Sequence, residues 1–328
     1  MSTRRFVLTL TLLALSGSAL RADDDGETFL DAAKAGPDFA IQGEYVGDLR
    51  VEGEDHRWGA QVIALGDGKF DAVGYEGGLP GDGSSRDGRR DVVRGERTGD
   101  REARFTNDEV ELTVRGDEMT VRYQGNDAGV LKKVHRAGPT VGEKPPQGAV
   151  VLFDGTSAES FTPGKIVEAN LLASDCESKQ TFGDHRLHIE FRTPFKPRAR
   201  GQARGNSGVY VQSRYEVQVL DSFGLEGRNN ECGGIYSIAE PILNMCYPPL
   251  AWQTYDIDFT AARYDGQGKK TKNARITVRH NGTVIHDNVE ITQGTPGKNP
   301  EGPGPGGLYL QGHGNPVVYR NIWIVERK

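Results

Sequence analysis

The densest group of chemically useful side chains lies in residues 205–222, where amides, a carboxylate and aromatic rings alternate with valines. If residues 215–220 form a strand, Glu216 and Gln218 share one face and the valines share the other. With the valines in a core, Glu216 and Gln218 would lie on the open face of the sheet, where they could bind a saccharide. The neighbours that could extend the same site are Asn206, Tyr210 and Asp221.

The spacing Glu216-x-Gln218-x-x-Asp221 resembles the Glu-x-Asp-x-x-Glu strand of laminarinase-like jelly-roll glycosidases. Retaining enzymes of that kind need two carboxylates about 5–5.5 Å apart. Here an amide stands in the middle position and a shorter Asp in the last. The spacing therefore indicates a similar placement but is weak support for that mechanism. Exposed strand side chains without a function are the alternative.

Two further stretches carry polar groups that could contact a sugar. Asn230 and Glu231 precede a Gly-Gly pair, so their loop could present oxygen atoms to a sugar or a hard cation. It could equally be a turn held by Asx hydrogen bonds. Near the C-terminus, Tyr309 and Gln311 alternate with leucines, and His313 follows the strand. This histidine could be an acid, a base or a ligand, although a lone histidine is more often structural.

The patterns around these residues are those of strands. Period-two alternation at residues 187–192, 256–259 and 275–279 predicts antiparallel sheets with one buried face. No helical period of useful length occurs. We therefore expect an all-β protein with a C-terminal jelly-roll sandwich. Glycine-containing turns predict hairpins, and a Gly-rich stretch predicts a long loop. The hairpins cover residues 58–75, 109–123 and 276–285, and the loop covers residues 76–100.

The chain has 328 residues, which is enough for about two domains. Pro139, Pro145 and Pro146 mark the boundary between them. We expect a small antiparallel β domain of unknown role, a proline-rich linker and a larger domain that folds without residues 1–140. Their bounds are 27–136, 137–147 and 148–328.

Residues 1–22 have the order of a secretory signal peptide, in which Arg4 and Arg5 precede an apolar run and small residues follow. Cleavage is expected after Ala22, with Ala19 as the alternative, and the mature protein would be secreted or periplasmic. Removing three arginines would change the formal net charge from −6 to −9. Such an acidic chain is a poor candidate for binding nucleic acid or anionic membranes. Elsewhere no apolar run reaches the ~18 residues of a membrane span.

Export would permit disulfides among Cys176, Cys232 and Cys246. The last two lie 14 positions apart and could pair, but the sequence does not establish a pairing. Their spacing does not resemble that of a zinc site, and the sequence contains no CxxC motif.

Eight stretches of the larger domain occur in an order that is more specific than any single motif. They are Leu152-Phe153-Asp154-Gly155, Phe182-Gly183-Asp184, 200–210, 216–222, 229–236, Trp252-Gln253-Thr254-Tyr255-Asp256, His280-Asn281-Gly282 and 308–323. Together they resemble the bacterial 3-keto-disaccharide hydrolase domain family.

The resemblance implies a concanavalin A-like jelly roll that cleaves glycosides whose sugar is oxidised at C3. A Trp-rich segment expected after Asp154-Gly155 is missing from this chain. Residues 27–136 carry no resemblance to a named family.

A C3 ketone acidifies the C2 proton, so a base can remove it, the C1 substituent can leave, and water can add back. We expect Glu216 to be the base and His313 or Asp221 the acid. The chemistry admits a divalent metal ion on the ketone, and Gln218, Glu231 and Gln311 are the expected contacts to the sugar or to such an ion. A separate sugar 3-dehydrogenase acting upstream is the implied partner. The expected substrate contacts are Asn206, Tyr210, Gln218, Asn230, Glu231, Tyr309 and Gln311.

Two alternatives remain. An ordinary glycosidase would act on unoxidised glucans, and a carbohydrate-binding module would bind a saccharide without turnover.

Overall fold

The computed structural model describes residues 26–327. The predicted signal peptide, residues 1–22, lies outside the described residues, so cleavage and export stay predictions. Most regular structure is strand, which confirms the all-β expectation. Helical structure in the described part comprises α1 (Gly36–Ile41) and the 3₁₀ turns Ala32–Lys34 and Gly201–Ala203. Between residues 26 and 327, no helix has the length and apolar character needed to cross a membrane.

The N-terminal half forms a closed barrel. The strands of this half are β1 (Gly43–Val51), β2 (Glu54–Gly66), β3 (Lys69–Glu76), β4 (Leu79–Pro80), β5 (Gly83–Ser84), β6 (Arg90–Gly99), β7 (Glu102–Thr106), β8 (Val110–Arg115), β9 (Glu118–Tyr123) and β10 (Asn126–Val134). Strands β4 and β5 pair with each other outside the barrel. The order around the barrel is β1-β10-β9-β8-β7-β6-β3-β2, and β1 pairs with β2 to close it. Closure leaves no unpaired strand edge within this ring.

Local sequence explains the hairpins of the barrel. At the turn between β2 and β3, Asp67 and Gly68 have φ of 55° and 70°, which suits a tight two-residue turn. The predicted hairpins at 58–75 and 109–123 are confirmed by the β2–β3 and β8–β9 registers. The prediction of a loop over residues 76–100 is wrong, because β6 lies there and pairs with β3 and β7. Charged residues dominate β6 and obscure its alternation, so the strand depends on its neighbours.

The C-terminal half is a sandwich of two antiparallel sheets. The strands of this half are β11 (Val150–Phe153), β12 (Phe161–Thr162), β13 (Ile166–Val167), β14 (Leu171–Ala173), β15 (Cys176–Phe182), β16 (His185–Arg192), β17 (Ser207–Val211), β18 (Tyr215–Val219), β19 (Gln253–Thr260), β20 (Arg263–Tyr264), β21 (Lys270–Lys272), β22 (Ala274–His280), β23 (Thr283–Ile291), β24 (Gly306–Leu310) and β25 (Val318–Glu326). Strands β20 and β21 pair with each other outside the two sheets of the sandwich.

The larger sheet has the order β13-β14-β25-β16-β19-β22-β23, with β11 also paired to β25. The five-stranded sheet has the order β12-β15-β24-β17-β18. The predicted hairpin at 276–285 is confirmed by the β22–β23 register. Alternate residues of both sheets, such as Leu187, Ile257 and Val217, meet in one core. All three cysteines are buried, and they form no disulfide bond in this structure.

The barrel and the sandwich share buried surface. Ile63, Val73 and Tyr75 point out of the barrel and belong to the sandwich core. Across the same boundary, Arg200 Nη2 donates to the Leu65 carbonyl at 2.7 Å. Independent folding of residues 148–328 stays a prediction, and isolation of that half would expose apolar surface here.

The proline-rich linker is held on the outer face of the larger sheet. Thr140 Oγ1 donates to Asp256 Oδ2 at 2.8 Å, and the Gly142 amide donates to Glu190 Oε1 at 2.6 Å. Asn321 Nδ2 donates to the Glu143 carbonyl at 2.9 Å. The chain between the two halves is thus fixed by side chains of three central strands.

Candidate active site

Strand β18 separates apolar from polar side chains as expected. Val217 and Val219 pack in the sandwich core, whereas Glu216 and Gln218 point to the opposite face of the five-stranded sheet. The expectation that this face is open is wrong, since Glu216 is 2% and Gln218 1% exposed. Backbone from residues 233–236 pairs along the edge of β18, and residues 294–297 lie beside Tyr210. Glu216 is therefore a buried carboxylate rather than a surface one.

Glu216 has one close side-chain partner. Tyr210 lies opposite it in β17, and the Tyr210 hydroxyl donates to Glu216 Oε2 at 2.7 Å. Burial raises the pKa of Glu216 to about 7, although the hydrogen bond from Tyr210 lowers it in part. Gly208 makes room for the carboxylate, because a Cβ there would lie 2.3 Å from Glu216 Oε1. The result is an acid poised to gain or lose a proton near neutral pH.

Two buried amide oxygens of the sequence-predicted site lack partners. Gln311 Nε2 donates to the Tyr210 hydroxyl at 3.2 Å, but Gln311 Oε1 accepts no hydrogen bond from the described residues. Asn206 Oδ1 is likewise without a described donor. Buried acceptors are normally satisfied. Sugar hydroxyl groups would be suitable donors to both oxygens.

Gln202 connects Asn206 to Gln218. Its Oε1 accepts from Asn206 Nδ2 at 3.1 Å and from Gln218 Nε2 at 3.0 Å. Its own Nε2 donates to the Asn230 carbonyl at 2.9 Å. Sequence reasoning assigned Gln202 no role, because nothing local indicates that the 3₁₀ turn carrying it folds back over β18.

The other side of Tyr210 leads to groups that sequence reasoning also missed. Tyr309 is in register with Tyr210, and Glu177 is in register with Tyr309. Lys298 Nζ lies 4.2 Å from the centre of the Tyr309 ring and 3.3 Å from Glu177 Oε2. Glu177 sits in a strand without clear alternation and Lys298 in a Gly/Pro-rich segment, so neither had a usable signal.

We call Glu177, Tyr309, Tyr210 and Glu216 the site row, because they lie in register across four adjacent strands. At ~4.8 Å per strand the two carboxylate-bearing backbones are ~14 Å apart. Paired-carboxylate glycosidases need about 5–5.5 Å for retention or about 6.5–9.5 Å for inversion. The Glu177 carboxylate is held at the far end of the row by Ser213 and Lys298, whereas that of Glu216 is held by Tyr210, so the two are not paired in this structure.

Other sequence-predicted residues have different surroundings. Asp221 is buried in an ion pair with Arg204, whose Nε lies 2.7 Å from Asp221 Oδ2. Glu231 Oε2 accepts from the backbone amides of Gly227 and Arg228 and so tightens its own loop. His313 is exposed two residues beyond Gln311. The structure thus brings Tyr210, Glu216 and Gln311 into contact and gives the Asp221 and Glu231 carboxylates other partners.

A second polar cluster lies on the outer face of the larger sheet. Among the described residues, Glu143, His188 and Asp256 place possible metal-ligating atoms within 4.8 Å of one another. Arg186 Nη2 already lies 3.5 Å from Glu143 and 3.9 Å from Asp256. A guanidinium so placed supplies the positive charge that a metal ion would bring.

The site around Glu216 fits a hard cation better in its donor chemistry. Carboxylate and amide oxygens are the ligands that Mg²⁺ or Ca²⁺ prefers. Glu216 and the unpartnered Gln311 oxygen would hold such an ion, which would polarise a substrate ketone.

Fold and site together define a jelly-roll protein with a row of polar and aromatic side chains of the kind that binds saccharides. Residues 148–325, more than half of the chain, match the family described as the 3-keto-alpha-glucoside-1,2-lyase-like domain, and the chain belongs to that family. This confirms the resemblance found in the sequence. No curated protein matches the chain.

The chain is also similar to solved structures from Parabacteroides distasonis. One, described as a candidate glycosyl hydrolase, is 30% identical with a TM-score of 0.51, and the match covers 56% of this chain and 85% of that one. Two more with the same description have identities of 20% and 18% and TM-scores of 0.39 and 0.41. Each of these two matches covers 55% of this chain, and they cover 99% and 95% of the matched chains. Their TM-scores are too low to support an argument about this protein. Family and fold support a glycosidase-type enzyme.

Proposed function

We propose that this protein cleaves glycosides whose sugar is oxidised at C3, by elimination across C1 and C2 followed by hydration. The observation that carries the proposal is Glu216, a buried carboxylate with a pKa of about 7 beside unpartnered amide oxygens. Elimination needs one base next to the sugar rather than two carboxylates at a fixed separation. The site row offers that single base.

The reaction balances as a net hydrolysis. Ionised Glu216 takes the C2 proton, the electron pair forms the C1–C2 double bond, and the C1–oxygen bond breaks. The leaving oxygen takes a proton, and water then adds across the double bond, with OH at C1 and H at C2. The raised pKa makes Glu216 a stronger base than an ordinary carboxylate.

The neighbours of Glu216 have separate roles in this scheme. Tyr210 orients the carboxylate through its hydrogen bond, and Gln311 and Asn206 accept from sugar hydroxyls. Lys298 is a cation at the end of the site row that can favour the enolate charge. For the acid, exposed His313 is preferred over Asp221, because Asp221 is held by Arg204.

Substrate access requires movement of the segment between β23 and β24. The Pro296 carbonyl lies 3.0 Å from the Tyr210 hydroxyl, and Thr295 Oγ1 accepts from the Glu216 amide at 2.9 Å. Displacement of this segment would open Tyr210 and Glu216 to a sugar ring.

We further propose that the mature protein is exported and begins near Asp23, and that a separate sugar 3-dehydrogenase supplies the ketone. The order of charged, apolar and small residues in 1–22 supports export. N-terminal sequencing of protein from a periplasmic or culture fraction tests it. Full-length chain with Met1 intact in the cytosol would contradict it.

The reaction is tested with pure protein, a 3-keto-glucoside and its unoxidised parent, each with and without chelator. We expect release of the leaving group from the ketone alone, with chelator-sensitive rates if a cation is used. Cleavage of the unoxidised glycoside at an equal rate would favour the ordinary glycosidase. Binding of both without turnover would favour the binding module.

A further inference from the structure

A cavity of about 710 Å³ lies between the barrel and the sandwich. We call it the interdomain cleft. One wall is the outer face of β3, β6 and β7, and the other follows the 3₁₀ turn and the end of β18. Junctions between domains are common ligand sites. Its charged lining residues are Lys69, Asp71, Arg94, Glu96, Arg104, Arg200, Arg204 and Asp221, and its apolar ones include Ile63, Leu65, Phe70, Phe223 and Leu225.

Positive charge in the cleft is not fully neutralised. Among residues 26–327, no carboxylate oxygen lies within 4.0 Å of a charged nitrogen of Lys69, Arg104 or Arg200. Arg94 reaches Asp71 only at 4.0 Å. Arg200 donates to backbone carbonyls alone. The cleft thus favours an anion.

Arg204 provides a second, independent indication. It is 5% exposed and pairs through Nε with Asp221, yet its Nη2 has no hydrogen-bond partner among the described residues. A buried guanidinium nitrogen normally has an acceptor. Arg200 is close enough for its pKa to be lowered by burial and by the Arg204 charge. Both guanidiniums would gain from a carboxylate in the cleft.

The cleft adjoins the candidate active site. The 3₁₀ turn Gly201–Ala203 presents Gln202 to Asn206 and Gln218, while its flanks, Arg200 and Arg204, line the cleft. Asp221 lies two residues beyond the end of β18 and five residues after Glu216, at most ~16 Å along the chain. A glycoside with its sugar at Glu216 would therefore direct one end toward the cleft.

We infer that the interdomain cleft binds the leaving group of the glycoside and selects one that is aromatic and carries a carboxylate. Exposed Leu225 and half-buried Leu65 supply apolar surface for the ring, and Arg200 and Arg104 supply charge for the carboxylate. Phe70 and Phe223 also line the cleft, but each is only 1% exposed. This inference rests on the proposed function. It assigns part of substrate selection to the barrel.

The kinetic test compares the 3-keto-glucoside of 4-coumarate with that of its neutral methyl ester. We expect kcat/KM to be at least about tenfold higher for the acid, since a charge-assisted hydrogen bond is worth roughly that factor or more. Arg104→Gln and Arg200→Gln should each bring the ratio of kcat/KM for the acid to that for the ester toward one, mainly by raising the KM of the acid. Arg115→Gln, an exposed barrel arginine outside the cleft, should leave it unchanged. A ratio within twofold in the wild-type protein overturns the inference.

A binding test separates this inference from the proposed function. Titration of the full chain with 4-coumarate alone should give a Kd that rises about tenfold in Arg104→Gln and Arg200→Gln but not in Arg115→Gln. If neither 3-keto-glucoside is cleaved, the proposed function fails, and this binding pattern still supports the cleft as an aryl carboxylate site. Absent binding overturns the inference. Binding of trigalacturonate without binding of 4-coumarate also overturns it.

Discussion

Glu190 and Glu216 are both buried, on opposite sheets of the same sandwich, yet their environments are opposite. Glu190 accepts from the Gly142 amide, Asn321 and Arg320, and His188 lies 3.7 Å away. Burial alone would raise its pKa, but these partners outweigh burial and lower the pKa to about 2. Among the described side chains, Tyr210 alone is a close partner of the Glu216 carboxylate, and the pKa of Glu216 rises to about 7.

The difference shows that a buried carboxylate can have either a structural or a chemical role. A carboxylate surrounded by donors stays ionised and holds elements together, as Glu190 holds the linker to β16 and β25. A carboxylate buried with one neutral donor keeps proton affinity that a substrate can use. Both carboxylates are buried, so the number of hydrogen-bond donors and cations around each one decides which role it has.

The largest expected effect is on turnover in Glu216→Gln. The amide keeps the shape but cannot take a proton, so kcat on a 3-keto-glucoside should fall about 10²–10⁴-fold. The same change in Glu290→Gln, on the surface of β23, serves as the control. A rate within threefold of wild type would remove Glu216 as the base.

Glu190→Gln should instead affect stability. It leaves the Arg320 guanidinium without its carboxylate and His188 with Asp256 as its one remaining described carboxylate partner, which we expect to lower the free energy of unfolding by about 3 kcal/mol. Urea unfolding measures the change, and kcat of the folded fraction should stay near wild type. An unchanged unfolding midpoint would show that this cluster is not structural.

The two acids should also differ in pH dependence. The native state keeps a proton on Glu216 between the ordinary pKa of 4.5 and about 7, so the stability of the wild-type protein falls as pH rises through that window. Glu216→Gln lacks this fall and should gain at most about 3 kcal/mol relative to wild type by pH 8. Thermal unfolding of both proteins at pH 5 and pH 8 measures this gain. An equal difference in stability between variant and wild type at both pH values would contradict the raised pKa.

Tyr210→Phe should have the smallest effect. Loss of the hydroxyl removes the hydrogen bond that lowers the pKa of Glu216, so the pKa should rise above about 7. Since the base must be ionised, the rising limb of kcat/KM against pH should move to higher pH, with less than a tenfold loss at its plateau. A limb that stays in place or moves to lower pH would show that Tyr210 does not tune Glu216.

Local patterns predicted much of the fold and part of the site. The valines of β18 placed Glu216 and Gln218 on one face, and glycine turns located three hairpins. The charged strand β6 was missed because its pairing, rather than its own apolar residues, holds it in the barrel. Alternation is informative only where one face is apolar.

The environment of each acid came from distant parts of the chain. Burial of Glu216 depends on Thr295 and Pro296, and the Asp221 ion pair depends on Arg204. The partners of Glu190 include Gly142 and Arg320. Such contacts leave no periodic signal, so sequence could indicate candidate acids but not separate functional from structural ones.

The hydrogen bonds that hold the linker bear on how a protease would attack the molecule. A proline-rich segment between two folded halves is ordinarily where digestion begins. Here Thr140, Gly142 and Glu143 are fixed to side chains of the larger sheet, so cleavage of this segment requires those bonds to open first. After that cut, Ile63, Val73 and Tyr75 would still pack in the sandwich core, so the two fragments would separate only when this shared buried surface also opens.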